Sequence, residues 1–214
     1  MPKLSERVAS ASSLAWALVK EPNQTRYLPD WWRARRHPAA EFTEPWWPRP
    51  ALEYVAEQLT DGSRVFEFGS GGSTRWLTGL GASVISIEHD ESWYRTVSQS
   101  VPAAAEVKLI RPSAHGTIGS PVMAGFFDEY VASIAEYPAE SFDLVIVDGR
   151  ARVACGLAAI PQVKPGGLLL LDDSQRPRYR PLVERLQGWS RRDVRGLKPA
   201  EVEVARTTIW RKPA

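Results

Sequence analysis

The sequence predicts an α/β fold with a doubly wound, mostly parallel sheet and an antiparallel last strand. Apolar strand-like runs alternate with helical patterns five times after residue 51, which is typical of parallel β–α–β units. One run, "FDLVIV" at 142–147, is apolar at almost every position, as expected of a strand that is covered on both faces. The last two strand-like runs have no helix between them, so the final strand should be reversed. The pattern as a whole is Rossmann-like.

The predicted elements follow one another regularly. A helical pattern, "ALEYVAEQL", precedes the first strand, "SRVFEFG". The next helices and strands alternate as "STRWLTGLG", "SVISIEHD", "ESWYRTVSQS" and "AEVKLIRP". A loop, "SAHGTIGSP", and a helix, "VMAGFFDEYVASIAEY", lead to the fourth strand, "FDLVIVDGR". Then come the helix "ARVACGLAAIPQV", the fifth strand "GGLLLLDDS", the helix "RPLVERLQGW" and the closing pair of strands.

Residues 1–50 differ in composition from the main domain, residues 51–214. They contain two Trp-Trp pairs, in "LPDWWRARRHP" and "EPWWPRP", set among prolines and arginines. The weak periodicity predicts a helix followed by an irregular, Pro-rich N-terminal arm. This arm could form a lid over a ligand, pack across the sheet, or make the contact of a homodimer.

Composition and charge exclude several classes of protein. A net charge of +2 over 214 residues does not indicate general polyanion binding, and no aromatic-basic nucleic-acid-binding module is recognisable. The single cysteine, Cys155, excludes an internal disulfide and a multi-cysteine metal site. The apolar run near residue 15 is too short to span a bilayer. We therefore expect a cytoplasmic protein that acts on a small molecule and binds neither nucleic acid nor membrane.

The stretch "VFEFGSGGSTRWL", residues 65–77, predicts a cradle for a small molecule. Glycines let the backbone turn sharply and let a ligand approach the main chain. The helix that begins after them would direct its unpaired N–H groups and positive dipole end at the turn. Ser70, Gly71, Gly72 and Ser73 are the residues of this turn.

The first strand ends in an acidic residue, any residue, and then Gly-x-Gly-x-small, carried by Glu67, Gly69, Gly71 and Ser73. In this pattern the chain resembles the class I S-adenosylmethionine-dependent methyltransferases, over roughly residues 51–212. The resemblance implies S-adenosylmethionine as the cofactor. It also implies that Glu67 pairs with the amino group of that cofactor.

Acidic residues after two other strands fit the same family. Glu88 ends the second strand in "SIEHD", where the family holds the ribose hydroxyls, and Asp148 ends the fourth in "VDGR", beside the transferred methyl group. The family often places a polar or acidic residue after the third strand to meet adenine, and here Ser113 and Ala114 stand in that region. The resemblance implies a cofactor site made of Glu67, Gly69, Ser70, Gly71, Gly72, Ser73, Glu88, His89, Ser113, Ala114 and Asp148.

A dinucleotide-binding oxidoreductase is the first alternative, because a glycine-rich loop followed by an acid about twenty residues later is common to both classes. Against it, Thr74 stands at the third glycine position. Glu67 stands where dinucleotide enzymes usually continue an apolar strand, and its charge would repel a pyrophosphate. The second alternative is a scaffold protein that binds the cofactor without catalysis, since a fold does not establish an activity.

The acidic residues after the fourth and fifth strands should meet at one edge of the sheet. Asp148, Asp172 and Asp173 match the positions at which catechol-type O-methyltransferases ligate magnesium, with Asp173 in place of an amide. This resemblance implies a Mg²⁺ site. Alternatively, Asp172 or Asp173 caps the next helix and Asp148 works without metal. The candidate catalytic residues are Asp148, Asp173 and His115, an imidazole in the loop expected to overhang the site.

An oxygen atom is the predicted methyl acceptor. Enzymes that methylate exocyclic amines typically carry an Asn/Asp-Pro-Pro-aromatic run after the fourth strand, where this chain has "VDGR". Arg150 and Arg152 follow that strand and either form a solvated basic surface or hold an anionic acceptor in two-point geometry. The indoles of Trp46 and Trp47 would form a wall of its site. The sequence thus predicts methyl transfer to a small, hydroxylated acceptor that carries negative charge.

Overall fold

The computed structural model describes residues 14–15, 18–34, 36, 43–199 and 204–214. We number the α-helices α1 (Leu28–Ala34), α2 (Arg49–Gln58), α3 (Gly72–Gly79), α4 (Glu91–Ser98), α5 (Asp128–Ala132), α6 (Arg152–Ala159) and α7 (Arg180–Arg185). The strands are β1 (Arg64–Phe68), β2 (Ser83–Glu88), β3 (Ala105–Leu109), β4 (Gly119–Ser120), β5 (Met123–Phe126), β6 (Phe142–Val147), β7 (Val163–Leu171), β8 (Ser190–Leu197) and β9 (Val204–Arg211). Within these described ranges no helix is long and apolar enough to cross a membrane.

Seven of the described strands form one sheet in the order β3–β2–β1–β6–β7–β9–β8. β9 is antiparallel to both of its neighbours, β7 and β8, and the other neighbouring strands are parallel. The predicted doubly wound sheet and its antiparallel last strand are confirmed. Because β9 lies between β7 and β8, β8 forms the edge and runs in the direction of the parallel strands. The ends of β1, β2, β6, β7 and β8 therefore share one edge of the sheet, here called the carboxyl rim.

Side chains of the central strands alternate between two apolar layers. On β1, Phe66 and Phe68 pack into one layer and Val65 into the other. On β6, Val145 and Ile146 likewise belong to opposite layers. This alternation follows from the two-residue period of a strand. The layers bury both faces of the sheet, so the carboxyl rim is where polar side chains collect.

The segment before β6 differs from the prediction of one helix over 122–137. Residues Met123–Phe126 form β5, which pairs with β4 in a two-stranded hairpin, and the helix begins only at Asp128. Gly125 has a φ of +98°, which does not occur within a helix. Asp128 accepts hydrogen bonds from the backbone N–H groups of Thr117 and Ile118 over 3.0 and 3.1 Å. The helical prediction was therefore wrong for the first half of this segment.

The N-terminal arm is more regular than predicted. A 3₁₀ helix at Pro22–Tyr27 leads into α1, which contains the first Trp-Trp pair. Trp31 is buried and Trp32 is exposed, so only one of the two indoles packs inward. The predicted boundary at residue 50 falls in the first turn of α2. The helix predicted before residue 20 lies mostly outside the described residues.

Candidate functional site

The glycine-rich turn leaves β1 at Gly69, which has a φ of +100°. A Cβ atom on Gly69 would lie 3.1 Å from the backbone of Gly149, the second residue after β6. Position 69 therefore requires glycine for two reasons, which are its left-handed backbone conformation and its close packing against the backbone of Gly149. Gly71 differs, since a Cβ atom there would meet only the indole of Trp93, at an ordinary 3.6 Å. The turn is therefore fixed at Gly69 and has free space at Gly71.

Glu67 lies beneath the turn and is fully buried. Its carboxylate accepts hydrogen bonds from the hydroxyls of Ser73, Thr74 and Ser86, the last two over 2.7 and 2.6 Å. Burial raises the pKa of Glu67 to about 7, against the lowering effect of these hydrogen bonds. The predicted contact of Glu67 with a cofactor amino group needs correction, because three neighbouring hydroxyls already surround the carboxylate. Glu67 ties β1 to α3 and β2.

Glu88 ends β2 beside the same turn and is also buried. Its carboxylate accepts hydrogen bonds from the backbone N–H groups of Ser70, His89 and Asp90 over 3.1, 2.7 and 2.9 Å. Burial acts to raise its pKa, but these donors and the His89 side chain lower the pKa below its ordinary value. Nδ1 of His89 lies 2.8 Å from Glu88 Oε1. Glu88 is thus an ionised group that holds the turn after β1 to the loop after β2.

A cavity of about 220 Å³ lies over the turn, and we call it the loop pocket. Its walls are the turn itself, the second Trp-Trp segment and the end of β6. The lining residues are Glu44, Pro45, Trp46, Ser70, Gly71, Gly72, Ser73, Trp93 and Asp148. Nε1 of Trp93 donates a hydrogen bond to the carbonyl oxygen of Ser70 over 2.7 Å. The structure therefore brings together six predicted site residues, with Glu44, Pro45 and Trp93 in addition.

Asp148 is the acidic residue that the loop pocket shares with the carboxyl rim. Its Oδ2 accepts a hydrogen bond from Nε1 of Trp47 over 3.0 Å, and its Oδ1 lies 2.9 Å from the guanidinium of Arg152. The side chain of Asp148 is 27% exposed. Both carboxylate oxygens are thus oriented by the protein, while the carboxylate stays accessible from the loop pocket.

Arg152 was predicted to hold an anionic acceptor, and the structure corrects this. Its guanidinium donates hydrogen bonds to the carbonyl oxygens of Gly149, Asp172 and Asp148 over 3.0, 2.6 and 2.9 Å. Its side chain is only 10% exposed. The N–H donors of Arg152 are hydrogen-bonded to groups inside the protein. Arg152 therefore connects the end of β6 to the end of β7. Arg150 lies beside it, half-buried, and lines neither cavity at this rim.

The predicted metal site at Asp148, Asp172 and Asp173 also needs correction. Nζ of Lys198 lies 2.5 Å from Asp172 and 2.7 Å from Asp173. Arg152 pairs with Asp148, and Arg176 lies 2.6 Å from Asp173. Three cations thus neutralise three carboxylates, and no group of the described residues has the arrangement of a metal site. Asp172 and Asp173 are both buried, which also removes Asp173 as a catalytic residue.

Burial and ion pairing both act on the pKa values of Asp172, Asp173 and Lys198. Burial, together with the charge of Asp148, raises the pKa of Asp172. Burial acts in the same way on Asp173, but Lys198 lowers the pKa of that carboxyl below its ordinary value. Burial acts to lower the pKa of Lys198, and the three carboxylates nonetheless raise it. Lys198 therefore remains a cation at neutral pH.

Three predicted residues lie away from the loop pocket. Ser113, Ala114 and His115 are exposed in the loop before β4, and none of them lines either cavity at the carboxyl rim. Ser113 forms a backbone bridge to Phe126. The hydroxyl of Ser113 donates to the carbonyl oxygen of His115. We therefore assign no part of the reaction to His115.

A second cavity, of about 320 Å³, lies between the N-terminal arm and the end of β8, and we call it the arm cavity. Aromatic and aliphatic side chains form much of its wall, and charged side chains form the remainder. The lining residues are Tyr27, Asp30, Trp31, Arg33, Thr43, Glu44, Trp47, Arg49, Leu52, Leu197, Lys198 and Pro199. Trp46 and Trp47 therefore face different cavities, and Glu44 lines both.

Sequence reasoning missed Lys198 and Glu44. Lys198 directly follows β8, and its position at the carboxyl rim depends on β8 being parallel to β7. Recognising the reversed insertion of β9 would have placed Lys198 beside Asp172. Glu44 has no comparable signal, because it stands in a Pro-rich segment outside the helices and strands.

Solved structures of low sequence identity share this architecture. A methyltransferase-like protein from Silicibacter pomeroyi is 24% identical, over 80% of this chain and 90% of that chain, with a TM-score of 0.53. A protein from Corynebacterium glutamicum is 18% identical, over 85% and 88% of the two chains, also with a TM-score of 0.53. No protein-family model and no curated protein sequence matches the chain. The strand order, the reversed β9 and these likenesses show that the chain has the class I methyltransferase fold.

Proposed function

We propose that the protein transfers a methyl group from S-adenosylmethionine to an oxygen of a small hydroxylated molecule. One observation carries the proposal. The loop pocket is bounded at one end by the glycine-rich turn after β1 and at the other by Asp148 after β6. In an open α/β sheet, ligands bind at the carboxyl ends of the strands, and this pocket lies there.

The residues around the turn fit the cofactor. Gly71 leaves open space above the backbone, which a Cβ atom could enter without meeting other protein atoms closer than 3.6 Å. Ser70, Gly71 and Ser73 line the loop pocket and would hold one end of the cofactor. Glu88 lies behind them and fixes Ser70 through its backbone N–H and its hydroxyl, so it would position the turn and not contact the cofactor. When bound, the cofactor supplies a methyl group on a cationic sulfur, activated for displacement by the acceptor oxygen.

Asp148 would orient the acceptor hydroxyl and take up its proton. The carboxylate is held from two sides, by Trp47 and Arg152. A fixed carboxylate places the nucleophile at a set distance, and positioning supplies much of the acceleration in a displacement of this kind. Trp46 and Trp93 cover the turn and would limit the access of water. The protein needs no metal in this scheme, because Lys198, Arg152 and Arg176 balance the acidic cluster.

A dinucleotide-binding oxidoreductase is not favoured. The strand order and the reversed β9 belong to the class I methyltransferase fold. The buried Glu67 also places a carboxyl group directly beneath the turn, where a pyrophosphate would lie. Arg152 does not provide a charge for an anionic acceptor, because its donors are committed to internal carbonyl groups.

Calorimetry with S-adenosylmethionine and NAD tests the proposal. The wild-type protein should bind S-adenosylmethionine and not NAD. Gly71→Val should lower the affinity for S-adenosylmethionine at least tenfold, because the side chain enters the loop pocket. Gly79→Val is the matched control, since a Cβ atom at Gly79 meets nothing within 4 Å. Binding of NAD alone, or equal affinity in the two variants, would contradict the proposal.

A further inference from the structure

Two carboxylates and no cationic side chain line the loop pocket within the described part of the chain. Glu44 comes from the N-terminal arm, and Asp148 follows β6. Their side chains are 38% and 27% exposed, so both carboxylates remain accessible to a ligand. The other lining residues are glycine, proline, serine and tryptophan. The pocket therefore presents negative charge to a ligand without a basic group beside it.

The cations that pair with these two carboxylates lie outside the loop pocket. Arg49 is 2.7 Å from Oε2 of Glu44, and it lines the arm cavity instead. Arg152 is 2.9 Å from Oδ1 of Asp148, and its hydrogen bonds go to carbonyl oxygens inside the protein. Because neither arginine lines the loop pocket, a ligand there would contact the carboxylates and not their partners. Such contacts are stronger in a partly desolvated site than in water.

Glu88 and two indoles add to the same preference for positive charge. The ionised Glu88 lies beneath the turn and accepts from the backbone N–H of Ser70 over 3.1 Å. Its full negative charge exceeds the roughly half positive charge that the N-terminus of α3 brings to the turn. Trp46 and Trp93 both line the pocket, and indole rings attract cations. The site thus favours a cation over an uncharged ligand of the same shape.

Methyl transfer would remove a positive charge from the ligand in this pocket. The C–S bond breaks with its electron pair left on the sulfur, the C–O bond to the acceptor forms, and the hydroxyl proton passes to Asp148. The sulfur of the product, S-adenosylhomocysteine, is then an uncharged thioether. The attraction that Glu44 and Asp148 provide before the transfer is therefore lost after it.

From the charges of its wall we propose that the loop pocket selects for the positive charge on the sulfur of the cofactor, with Glu44 and Asp148 as the specificity-determining residues. The protein then binds S-adenosylmethionine more tightly than S-adenosylhomocysteine and is only weakly inhibited by that product. The inference rests on the proposed function for the identity of the ligand. It assigns a residue of the N-terminal arm, Glu44, to cofactor selection.

Calorimetry with three ligands of similar shape tests the preference. S-adenosylmethionine carries a methylsulfonium group and S-adenosylhomocysteine an uncharged thioether. Sinefungin carries an ammonium group on a carbon atom that replaces the sulfur. We expect the two cationic ligands each to bind about tenfold more tightly than S-adenosylhomocysteine, as the combined effect of two partly exposed carboxylates. Equal or tighter binding of S-adenosylhomocysteine would overturn the inference. Sinefungin that binds as weakly as S-adenosylhomocysteine would also overturn it, because recognition would then depend on the methyl group and not on charge.

Two variants of one ion pair separate the charge of Glu44 from the structure of the arm. Glu44→Gln should reduce the preference for S-adenosylmethionine over S-adenosylhomocysteine by about threefold. Arg49→Gln breaks the same ion pair but keeps the carboxylate, so the preference should stay the same or increase. An equal reduction in the two variants would show that the ion pair acts only on the structure of the arm, and would overturn the role of Glu44.

Asp148 and an exposed carboxylate provide the second comparison. Asp148→Asn should also reduce the preference by about threefold, because asparagine has a similar shape without the charge. Glu53→Gln removes an exposed carboxylate of α2 that does not line the loop pocket, and it should leave the preference unchanged. A similar reduction in Glu53→Gln would mean that the overall charge of the protein, and not the wall of the pocket, sets the preference.

The same titrations separate this inference from the proposed function. If S-adenosylmethionine, S-adenosylhomocysteine and sinefungin bind with equal affinity, the inference fails and the proposed function stands. If none of them binds, or if NAD binds in their place, the proposed function fails and the inference fails with it.

Discussion

The indole nitrogen of Trp47 donates a hydrogen bond to Oδ2 of Asp148 over 3.0 Å. The two residues are 101 positions apart in the chain, and their contact joins the N-terminal arm to the carboxyl rim of the sheet. Trp47 is 1% exposed and packs against Ala51 and Leu52 of α2. The arm thus serves as a packing element at Trp47 and as a cover of the loop pocket at Trp46.

Removing that hydrogen bond should lower stability while it preserves most of the packing. Trp47→Phe keeps an aromatic ring but leaves Asp148 Oδ2 without this donor. We expect the free energy of unfolding to fall by about 1.5–3 kcal/mol beyond the cost of the smaller ring, as is usual for a lost hydrogen bond to a charged group. Urea unfolding of Trp47→Phe, Asp148→Ala and the double variant measures this coupling. Strictly additive effects in the double variant would show that the hydrogen bond contributes nothing.

The buried cation at Lys198 should be essential to the carboxyl rim. Lys198→Met leaves Asp172 and Asp173 buried beside each other without their shared ammonium group. We expect a loss of roughly 3–5 kcal/mol in the free energy of unfolding, the usual result of breaking a buried ion pair. Asp172→Asn in the same chain should restore part of the loss, because Asp173 keeps Arg176 at 2.6 Å whereas Arg152 lies 3.9 Å from Asp172. A double variant less stable than Lys198→Met would contradict this account.

Magnesium should not stabilise the wild-type protein. The three carboxylates of the rim already have three cationic partners, so a divalent ion would have to displace Lys198. The Tm should be the same in MgCl₂ as in NaCl of equal ionic strength. The Tm of Lys198→Ala is the informative comparison. This variant lacks the ammonium group, and the space that it leaves beside two carboxylates would suit a cation. A Tm that rises with Mg²⁺ in the wild-type protein would restore the predicted metal site.

The buried Glu67 should make stability fall as the pH rises. Burial raises its pKa in the folded protein to about 7, from an ordinary value of 4.5. A raised carboxyl pKa means that the folded state retains the proton longer than the unfolded state. The stabilisation is therefore complete below the unfolded pKa and is lost as the pH rises through the folded pKa. Over this window the loss amounts to roughly 3 kcal/mol, at about 1.4 kcal/mol for each pH unit.

Glu67→Gln tests this pH dependence, because glutamine keeps the shape and accepts hydrogen bonds but does not ionise. Relative to the wild-type protein, the variant should gain stability steadily as the pH increases from 5 to 8. Urea unfolding at several pH values gives the difference directly, since other titrating groups are common to both proteins. Parallel curves for the two proteins would show that Glu67 does not titrate in this range.

Two glycines with positive φ should differ in their tolerance of alanine. Gly166→Ala should cost about 1 kcal/mol, since its φ is +74° and a Cβ atom there meets nothing within 4 Å. Gly69→Ala should cost roughly 1–3 kcal/mol more, because its Cβ atom would press on the backbone of Gly149. Thermal or urea unfolding of the two variants provides the comparison. Equal costs would mean that the turn after β1 can shift away from β6.

Local patterns predicted most of the sheet. The runs "VFEF", "SVISIE" and "FDLVIV" form strands. Each run is rich in the β-branched and aromatic side chains that favour strands, so the prediction needed only residues that are neighbours in the chain. The end of β2 was equally readable. Asp90 directly precedes the next helix and is of a residue type that caps helices, and its carboxylate accepts a hydrogen bond from the backbone N–H of Trp93 over 2.8 Å.

The hairpin β4–β5 was not readable in the same way. The run "VMAGFFDEY" has apolar residues at helical spacing, and only the left-handed Gly125 excludes a helix there. That conformation is set by contact with the loop before β4, where Phe126 exchanges two backbone hydrogen bonds with Ser113 over 2.9 and 3.0 Å. A long-range contact overrode the local preference.

By itself, the sequence determined the class of fold, the glycine-rich turn and the acidic residues at the ends of β1, β2 and β6. These features depend on residues that are neighbours in the chain, so their spacing carries the information. Only the tertiary structure decided which charges remain available to a ligand. Arg152, Asp172 and Asp173 lie at the predicted edge, yet their charges are already paired. Arg152 pairs with Asp173, and Lys198, which follows β8, pairs with both aspartates. Such pairings depend on the order of strands and on burial, because a charge removed from water must find its partner wherever the fold places one.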